Sequence, residues 1–237
     1  SNGYFDITAD PLIELWGFGY KNKKTHSIPS SKEINDALSL VNQKELFELN
    51  SFNNEFYKKN KNLKLNLSSI AKGYGIDQIG NKLETLGIRN YLINIGGDLL
   101  AKGNNKNKKD WIIGIENPNL KEKLVKEIIN VSNKGIASSG DYKNFFIKNG
   151  KKFSHIINPN TGKPITHKTK SVTVVSYNAS NADGWATALL AMGSKKGFKL
   201  AEKTGMAVLF IDEVNKKLIK IKSSEFKKLV KEWIEYL

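Results

Sequence analysis

The chain has 237 residues, carries a formal net charge of +15 and contains no cysteine. Its 39% hydrophobic and 26% charged residues are ordinary for a globular protein with one good-sized core or two smaller ones. The lack of cysteine excludes disulfides, cysteine–zinc sites and a lipidated cysteine within these residues. No apolar run approaches the ~20 residues that a membrane-spanning helix requires.

The positive charge comes almost entirely from lysine, because Arg89 is the only arginine. Proteins that read nucleic-acid sequence depend on the planar fork of arginine, which pairs with guanine and phosphate edges. Lysines in Lys/Asn-rich loops instead indicate a solvated surface with a weak attraction for an anionic membrane or partner. A nucleic-acid-binding function would rest on charge alone, and we expect no nucleic-acid partner.

The first half of the chain is predicted to alternate short helices with strands. Ser30 followed by Glu33 is the pattern of a capping box, which favours a helix start. Apolar residues recur at helical spacing before Gly87, which favours a helix end. The predicted elements are an irregular lead-in at Tyr4–Tyr20, a helix from Ser30 or Ser31 to about Leu40, strands at Leu46–Leu49 and Leu63–Leu67, a helix from Ser68 or Ser69 to Gly87, and a buried strand at Tyr91–Ile95.

The second half of the chain carries stronger turn and cap signals. Asn149-Gly150 is typical of a two-residue hairpin turn, and Gly193 and Gly205 each favour a helix end. The predicted elements are strands at Trp111–Ile115 and Leu124–Val131 (the second also compatible with a helix from Lys121), a hairpin of Phe145–Ile147 and Phe153–Ile157, a strand at Ser171–Ser176, helices from Asn178 or Ser180 to Gly193 and at Lys195–Lys203, a hairpin of Met206–Ile211 and Leu218–Ile221, and a terminal helix at Glu225–Tyr236. Helices interleave with hairpins without a regular strand–helix–strand repeat, so we predict an α+β fold with mixed or antiparallel sheets and packed helices. We predict one domain over 1–237, because the polar stretch Asn104–Lys109 is too short to divide the chain.

The segment from Asn66 to Asp77 is the first candidate site. It is predicted to join a strand to a helix, and the free N–H groups of a helix N-terminus favour phosphate. Lys72 adds a full positive charge in the first helical turn. The segment lacks the spacing of a P-loop, and a capped helix with a surface lysine explains the same pattern.

Two glycine-containing segments are weaker candidates. Gly96-Gly97, within Asn94–Asp98, permits either a close ligand approach or a simple turn or bulge. Ser139 lies beside Gly140, where its hydroxyl suits either a ligand oxygen or a turn contact. The local pattern leaves both alternatives open.

His155 and Asp183 are the candidates for catalysis. Histidine suits proton transfer near neutral pH, although a lone histidine in a strand is more often structural. His26 and His167 lie in polar loops and receive no role. Asp183 and Thr187 are four residues apart, so one helical face presents both oxygens, which is compatible with a partial shell for Mg²⁺. An acid in the first turn of a helix also interacts favourably with the helix dipole without any metal.

In this order the motifs resemble those of the ApbE family of flavin transferases, from Tyr4 to about Phe210. The matching blocks are Phe5–Thr8, Pro11-Leu12, Trp16–Gly19, Asn66–Asp77, Asn94–Asp98, Ser139–Tyr142, Ser154–Pro164, Ser171–Val174 and Ala182–Leu189. The resemblance implies a T-fold-like architecture and an enzyme, an FAD:protein FMN transferase. Such an enzyme uses Mg²⁺ to split FAD, attaches the FMN half to a Thr or Ser hydroxyl of another protein, and releases AMP. An FAD pyrophosphatase releasing FMN and AMP, or a non-enzymatic FAD-binding protein, is compatible with the same motifs.

The resemblance also implies roles for individual residues. Asp183 and Thr187 are the implied side-chain ligands of Mg²⁺, and Ser69 is implied to offer its backbone carbonyl. His155 is the implied proton carrier, and Asp183 is the second implied catalytic residue. The residues implied to contact FAD are Tyr4, Phe5, Asp6, Asn66, Lys72, Ser139, His155 and Ile157.

A protein partner and a location follow from the same resemblance. The implied acceptor carries an Asp-x-x-Ser/Thr-Gly-Ala/Ser-Ser/Thr motif and belongs to a membrane redox complex, and the implied location is extracytoplasmic, in the periplasm or on the outer face of the cell membrane.

Three features depart from the family pattern. Asn66 replaces the usual Asp, and Ala186 stands where some members carry a second Asp, which disfavours a two-metal site. Members usually carry further residues before the block at Phe5, including a strand with a tyrosine that packs on the flavin, so we expect an N-terminal part to be missing here.

Overall fold

The computed structural model describes residues 1–20, 27–116, 118, 125–142 and 144–230. The helices are α1 (Asp10–Leu15), α2 (Ser31–Leu38), α3 (Gln43–Leu46), α4 (Ala71–Thr85), α5 (Ala179–Met192), α6 (Ser194–Thr204) and α7 (Ser224–Lys227). The strands are β1 (Phe47–Asn50), β2 (Glu55–Lys58), β3 (Tyr91–Ile95), β4 (Asp98–Lys102), β5 (Trp111–Glu116), β6 (Val125–Val131), β7 (Lys134–Gly140), β8 (Phe145–Lys148), β9 (Lys151–Ser154), β10 (Ile157–Asn158), β11 (Lys163–Pro164), β12 (Thr169–Ser176), β13 (Ala207–Val214) and β14 (Lys217–Lys222). The chain forms two compact units, the first made of Ser1–Ser69 with Lys143–His167 and the second of Ile70–Tyr142 with Lys168–Leu237.

The first unit is built around a small apolar cluster. Leu12, Trp16, Ile34, Phe146 and Ile157 form this cluster, which joins α1 and α2 to the β8–β9 and β10–β11 hairpins. The predicted capping box is confirmed, because Ser30 accepts a hydrogen bond from the N3 backbone of α2 and the N3 carboxylate accepts one in return. Burying these side chains removes apolar surface from water, which is the main stabilising contribution in so small a unit.

The second unit is organised by a six-stranded antiparallel sheet. Its strand order is β14-β13-β12-β7-β4-β3. Successive side chains of a strand point to opposite faces, so Leu99 packs with Phe226 and the β5–β6 hairpin while Leu100 packs with Ile76 and Ala179. Helices α4 and α5 therefore cover one face of the sheet, and the β5–β6 hairpin and α7 cover the other.

Four of the short-range turn and cap predictions are confirmed. The β8–β9 hairpin turns at Asn149 and Gly150, whose φ values of 51° and 70° are those of a type I′ turn. Helix α5 begins after Asn178, whose side chain accepts a hydrogen bond from the N3 backbone, and it ends at Gly193. Helix α6 ends at Gly205 in the left-handed conformation.

Several predicted elements are wrong or are shifted. Residues 63–67 form no strand; β1 pairs instead with β2 across a tight turn in which Asn54 has a φ of 55°. The segment Leu124–Val131 is a strand from Val125 and not a helix, while Leu124 itself lies outside the described residues. The β3 strand lies at the edge of the sheet, and only its first residue, Tyr91, is buried.

The predicted terminal helix is the largest difference. Helix α7 ends at Lys227, and Val230 forms an isolated β-bridge with Ile129 in place of another helical turn. Burial against the β6 strand thus outweighs the helical period of the sequence. The residues predicted beyond this point, including Trp233 and Tyr236, lie outside the described part of the chain. Within the described residues, no helix is long and apolar enough to cross a membrane.

Candidate functional site

The start of α5 lies unusually close to α4 and β7 in the second unit. A Cβ added to Gly73 of α4 would stand 2.4 Å from the carbonyl oxygen of Ala179. A Cβ added to Gly135 of β7 would stand 2.1 Å from the carbonyl carbon of Asn178. Glycine at both positions therefore allows the backbones to approach, and this approach places the first turns of the two helices side by side.

Asp183, in the second turn of α5, is the central acid of this region. Its side chain is buried, with the residue 4% exposed, and its Oδ2 accepts a hydrogen bond of 3.0 Å from the Gly73 backbone N–H. Burial raises the pKa of the carboxyl from its usual 3.8 to about 6, the Gly73 N–H and the charge of Lys72 oppose that rise, and the charge of Asp98 adds to it. Asp183 is thus a carboxylate kept in a poorly solvated place next to a positive helix end.

Lys72 and Asp98 form an ion pair beside this acid. The Lys72 Nζ lies 2.5 Å from the Asp98 Oδ2, and the Asp98 Oδ1 accepts a hydrogen bond of 3.3 Å from the Ser138 backbone N–H. The Asp98 side chain is 2% exposed, whereas that of Lys72 is 45% exposed. The lysine is therefore held at its end by a buried partner while much of its surface remains open to a ligand.

The predicted hydroxyls meet at the same region. Ser139 of β7 and Thr187 of α5 have their side-chain oxygens 3.3 Å apart, and either hydroxyl can be the donor. Thr187 follows Asp183 by one helical turn, so the two side chains share one face of α5. The second unit thus brings together four of the predicted site residues, namely Lys72, Ser139, Asp183 and Thr187.

Asp98 and Asp77 are the residues whose roles were missed from the sequence. Both stand inside matched blocks, yet neither received a role. Asp98 closes the Gly96-Gly97 turn and holds Lys72. Asp77 accepts hydrogen bonds from the start of α5. The usable signal for Asp98 was an acid placed directly after a two-glycine turn at a strand end, because glycines there often mark a close approach of a ligand or another backbone.

Asn66 organises a turn in the first unit. Its Oδ1 accepts hydrogen bonds from the backbone N–H (3.1 Å) and hydroxyl (2.6 Å) of Ser68, and its Nδ2 donates to the Asp10 Oδ1 at 3.0 Å. This Asx turn explains why Ser68 and Ser69 do not cap α4 as predicted: the Ser68 hydroxyl is already used, and α4 begins after Ile70 without a side-chain cap. Ser69 ends the first unit, and its carbonyl as a metal ligand stays a prediction.

The N-terminal segment is held by the carboxylate of Asp6. Its Oδ1 accepts from the backbone and the hydroxyl of Thr8, at 2.8 and 2.5 Å, and its Oδ2 accepts from the Gln43 backbone at 3.0 Å. The Gln43 side chain donates in turn to the Phe5 carbonyl at 3.2 Å, and the Tyr4 backbone N–H donates to the carbonyl of the first residue. These contacts fix the segment's shape, while its contact with FAD stays a prediction.

His155 follows the end of β9 and does not lie within a strand. Its Nδ1 is 2.8 Å from the backbone carbonyl oxygen of Asn144, which also accepts from the His155 backbone N–H at 3.1 Å. Because a carbonyl can only accept, Nδ1 donates and Nε2 is the basic nitrogen of the neutral ring. Ile157, two residues on, places its side chain in the apolar cluster of the first unit, so any ligand contact there must use its backbone. His26 lies outside the described residues.

The donor set suits a hard cation with a phosphate. Among the residues that the structure describes, no group of three or more His, Asp or Glu side chains could hold a metal ion. Mg²⁺ does not need such a group, because it binds through one or two carboxylates and completes its octahedron with water and substrate phosphate. One buried carboxylate, two neighbouring hydroxyls and a tethered lysine fit that requirement.

Comparison with known proteins identifies the family. A model of the ApbE family matches residues 1–210, and the chain belongs to this family. The proteins named FAD:protein FMN transferase from Haemophilus influenzae and Vibrio cholerae are 39% and 37% identical to it, over 97% and 96% of the chain. The chain spans 66% and 67% of the length of these two relatives.

Solved structures give the same result for the fold. The flavin transferase ApbE from Vibrio cholerae superimposes with a TM-score of 0.83 at 36% identity, covering 96% of this chain and 71% of that one. The apo flavinyl transferase ApbE from Pseudomonas stutzeri gives a TM-score of 0.85 at 33% identity, covering 96% and 69%. The predicted α+β class and ApbE architecture are therefore confirmed.

Proposed function

We propose that this chain transfers FMN from FAD to a Thr or Ser hydroxyl of another protein and releases AMP. The observation that carries the proposal is the buried Asp183 carboxylate, which lies against the N-terminus of α4 and shares a helical face with Thr187. A buried carboxylate with a raised pKa in a polar cluster is typical of a functional site. The names of the family relatives support the same activity.

Mg²⁺ is the metal that we propose for this site. Asp183 and Thr187 would supply two side-chain oxygens, and the resemblance adds the backbone carbonyl of Ser69. When bound, Mg²⁺ neutralises charge on a pyrophosphate and makes AMP a better leaving group. Lys72, tethered to Asp98, adds a positive charge for the phosphate oxygens.

The proposed reaction is a phosphoryl transfer that needs no redox partner. The acceptor hydroxyl oxygen bonds to the FMN-side phosphorus of FAD while the bond from that phosphorus to the bridging oxygen breaks. The bridging oxygen leaves as part of AMP. We assign the hydroxyl proton to Nε2 of His155, because the ring proton is held on Nδ1 by the Asn144 carbonyl.

The acceptor and the location belong to the same proposal. We propose an acceptor with an Asp-x-x-Ser/Thr-Gly-Ala/Ser-Ser/Thr motif on a subunit of a membrane redox complex, at an extracytoplasmic location. The support for both is the resemblance to the family, and the excess of lysine favours approach to an anionic surface.

The test is incubation of the chain with FAD and Mg²⁺, with and without a peptide bearing the acceptor motif. The readouts are AMP release and a mass gain on the peptide equal to one FMN unit. The controls are a peptide with alanine at the acceptor position, a reaction with chelator, and Asp183→Ala. We expect modified peptide only when the peptide hydroxyl, Mg²⁺ and Asp183 are all present.

The other outcomes separate the alternatives. AMP release with no modified peptide would favour an FAD pyrophosphatase, in which water replaces the protein hydroxyl. Retained, unhydrolysed FAD with neither product would favour an FAD-binding protein. An Asp183→Ala variant with full activity would remove the metal assignment.

A further inference from the structure

Helices α4 and α5 cap each other's N-termini. The start of α4 has no side-chain cap of its own, and its Gly73 N–H donates to the Asp183 Oδ2 at 3.0 Å. At the start of α5, the Ala179 and Ser180 N–H groups donate to the Asp77 Oδ1 and Oδ2 at 2.8 and 2.9 Å. Each helix therefore supplies a carboxylate to the free N–H groups of the other.

The two contacts are geometrically coupled. Asp77 follows Gly73 by four residues on α4, and Asp183 follows Ala179 by four residues on α5. Each pair spans one helical turn on one face, so the two carboxylates and the two helix starts form a closed ring of contacts. A rotation or slide of α5 that breaks one contact also strains the other.

The ring leaves little freedom at the helix starts. The Ser180 hydroxyl donates a third hydrogen bond to the Asp77 carboxylate, the second one at Oδ2, and the Asn178 side chain accepts from the Asn181 N–H. The first three N–H groups of α5 are thus all satisfied within the protein, so none remains to bind a ligand phosphate. The Asp77 carboxylate consequently accepts three hydrogen bonds from the start of α5 and fixes the position of that helix end.

The Asp183 carboxylate is the group whose position depends on these contacts. In the part of the chain that the structure describes, its Oδ2 carries the only hydrogen bond of the side chain. The other oxygen is left for a further ligand, and its direction depends on how the first turn of α5 is placed. Groups behind a metal ligand commonly set its orientation, and their loss typically lowers metal affinity about 10–100-fold.

We propose that Asp77 is a positioning residue for the metal site: it fixes the first turn of α5 on α4 and thereby holds the Asp183 carboxylate for Mg²⁺. This inference rests on the proposed function, since it concerns the same acid. A merely structural role for Asp77 predicts lost stability alone. A positioning role predicts lost Mg²⁺ affinity beyond what the lost stability explains.

The test compares Asp77→Asn with a matched control, Asp212→Asn. Asp212 is another acid of the second unit; it is 1% exposed, whereas Asp77 is partly exposed. It accepts hydrogen bonds from the hydroxyls of Thr169 (2.8 Å) and Ser194 (2.7 Å), and Ser194 follows the C-terminal end of α5, whereas Asp183 lies near the N-terminal end. Mg²⁺ affinity is measured for each full chain by titration calorimetry and by the Mg²⁺-dependent rise in Tm. We expect Asp77→Asn to weaken Mg²⁺ binding by about tenfold or more, and Asp212→Asn to change it by less than about twofold at an equal or larger loss of Tm.

A second readout works on the metal-free protein. If Asp77 holds Asp183 in place, Asp77→Asn should speed hydrogen exchange of the Gly73 amide relative to amides in the sheet core, and Asp212→Asn should not. Unchanged Gly73 exchange in Asp77→Asn would overturn the inference, as would Mg²⁺ affinity equal to that of the control variant. A wild-type chain that binds no Mg²⁺ would refute the proposed function separately, and the exchange measurement would still decide the role of Asp77.

Discussion

Replacing Asp183 by asparagine should stabilise the metal-free protein at pH 7.5 while removing its response to Mg²⁺. Asparagine keeps the shape of the side chain and an oxygen that can accept from the Gly73 N–H, but it carries no charge. The wild-type charge is unfavourable in the folded state, because burial raises the pKa of Asp183 from 3.8 to about 6. The variant therefore removes an electrostatic cost that, under the proposed function, a bound cation would offset in the wild type.

The magnitude follows from the two pKa values. Well below pH 3.8 both the folded and the unfolded states hold the proton, so Asp183 contributes no difference in stability. As pH rises from about 4 to 6 the folded state holds more protons than the unfolded state, so stability falls. Above pH 6 the loss of folding stability is complete. A rise of the Asp183 pKa from 3.8 to about 6 amounts to at most about 3 kcal/mol at 1.36 kcal/mol per pH unit.

The assay is urea unfolding of the wild type and Asp183→Asn at pH 7.5 and pH 4.5, without metal. We expect a gain of up to about 3 kcal/mol for the variant at pH 7.5, shrinking to about 1 kcal/mol at pH 4.5, where the wild-type acid is largely protonated when folded. For a chain of this length about 1 kcal/mol shifts Tm by about 2–4 °C, so thermal unfolding should show the same order. Saturating Mg²⁺ should raise the Tm of the wild type alone.

Two results would refute this reasoning. A variant that is less stable than the wild type at pH 7.5 would show that the charged carboxylate is well solvated or well paired. A gain of equal size at both pH values would show that the effect comes from packing and not from the ionisation of Asp183. A variant that keeps the Mg²⁺ response would separately remove Asp183 from the metal site.

Three further predictions test other parts of the structure. Gly73→Ala places a methyl group against backbone atoms of α5, so it should destabilise the protein by about 1–3 kcal/mol in urea unfolding. Gly75→Ala is the control: it has open space around it and should stabilise the protein by about 0.4–1 kcal/mol. Similar values for both variants would contradict the close approach of the two helices. Asn66→Asp sets a second carboxylate beside Asp10 and removes the 3.0 Å hydrogen bond from the Asn66 amide. We expect it to destabilise the protein by about 1 kcal/mol at pH 7.5 and by less at pH 3.5 in urea unfolding. An equal loss at both pH values would contradict repulsion between the two carboxylates. His155→Ala should lower the rate of FMN transfer by about 10²-fold or more, which is a larger effect than on FAD binding. Weaker FAD binding with an unchanged transfer rate would make His155 a pocket residue and not a proton carrier.

Most local turn and cap signals in the sequence were reliable, and the exception is the start of α4, where the Ser68 hydroxyl donates to Asn66 instead of capping the helix. The Asn149-Gly150 turn, the Asn178 cap and the Gly193 stop each act within a few positions along the chain, so their chemistry could be read directly. Leu63–Leu67 shows the limit of such patterns, because alternating leucines predict a strand only if a partner strand is available. The neighbouring hairpin had already paired β1 with β2. Strand formation depends on pairing with a second strand, and the residues of one segment do not indicate which segment will pair with it.

The candidate site was predictable only where its residues are close together in the sequence. Asp183 and Thr187 share a helical turn, so their pairing could be inferred from spacing. The roles of Asp77 and Asp98 could not, because their partners lie far along the chain: Asp77 meets Ala179 across 102 positions, and Asp98 meets Lys72 across 26. Only the fold brings these groups together, and an isolated motif does not indicate the hydrogen-bond or ion-pair partner of either acid.

The energetics of Asp183 connect the fold to the proposed activity. An acid that only stabilised the fold would be expected to keep its ordinary pKa or a lower one, since pairing and hydrogen bonds favour the charged form. Asp183 has the opposite shift although it accepts a helix N-terminal hydrogen bond and lies near Lys72. The chain thus holds a carboxylate where its charge opposes folding, with the reciprocal capping of α4 and α5 keeping it there. Such a local cost is expected at a position kept for ligand binding, and under the proposed function a bound cation would offset it.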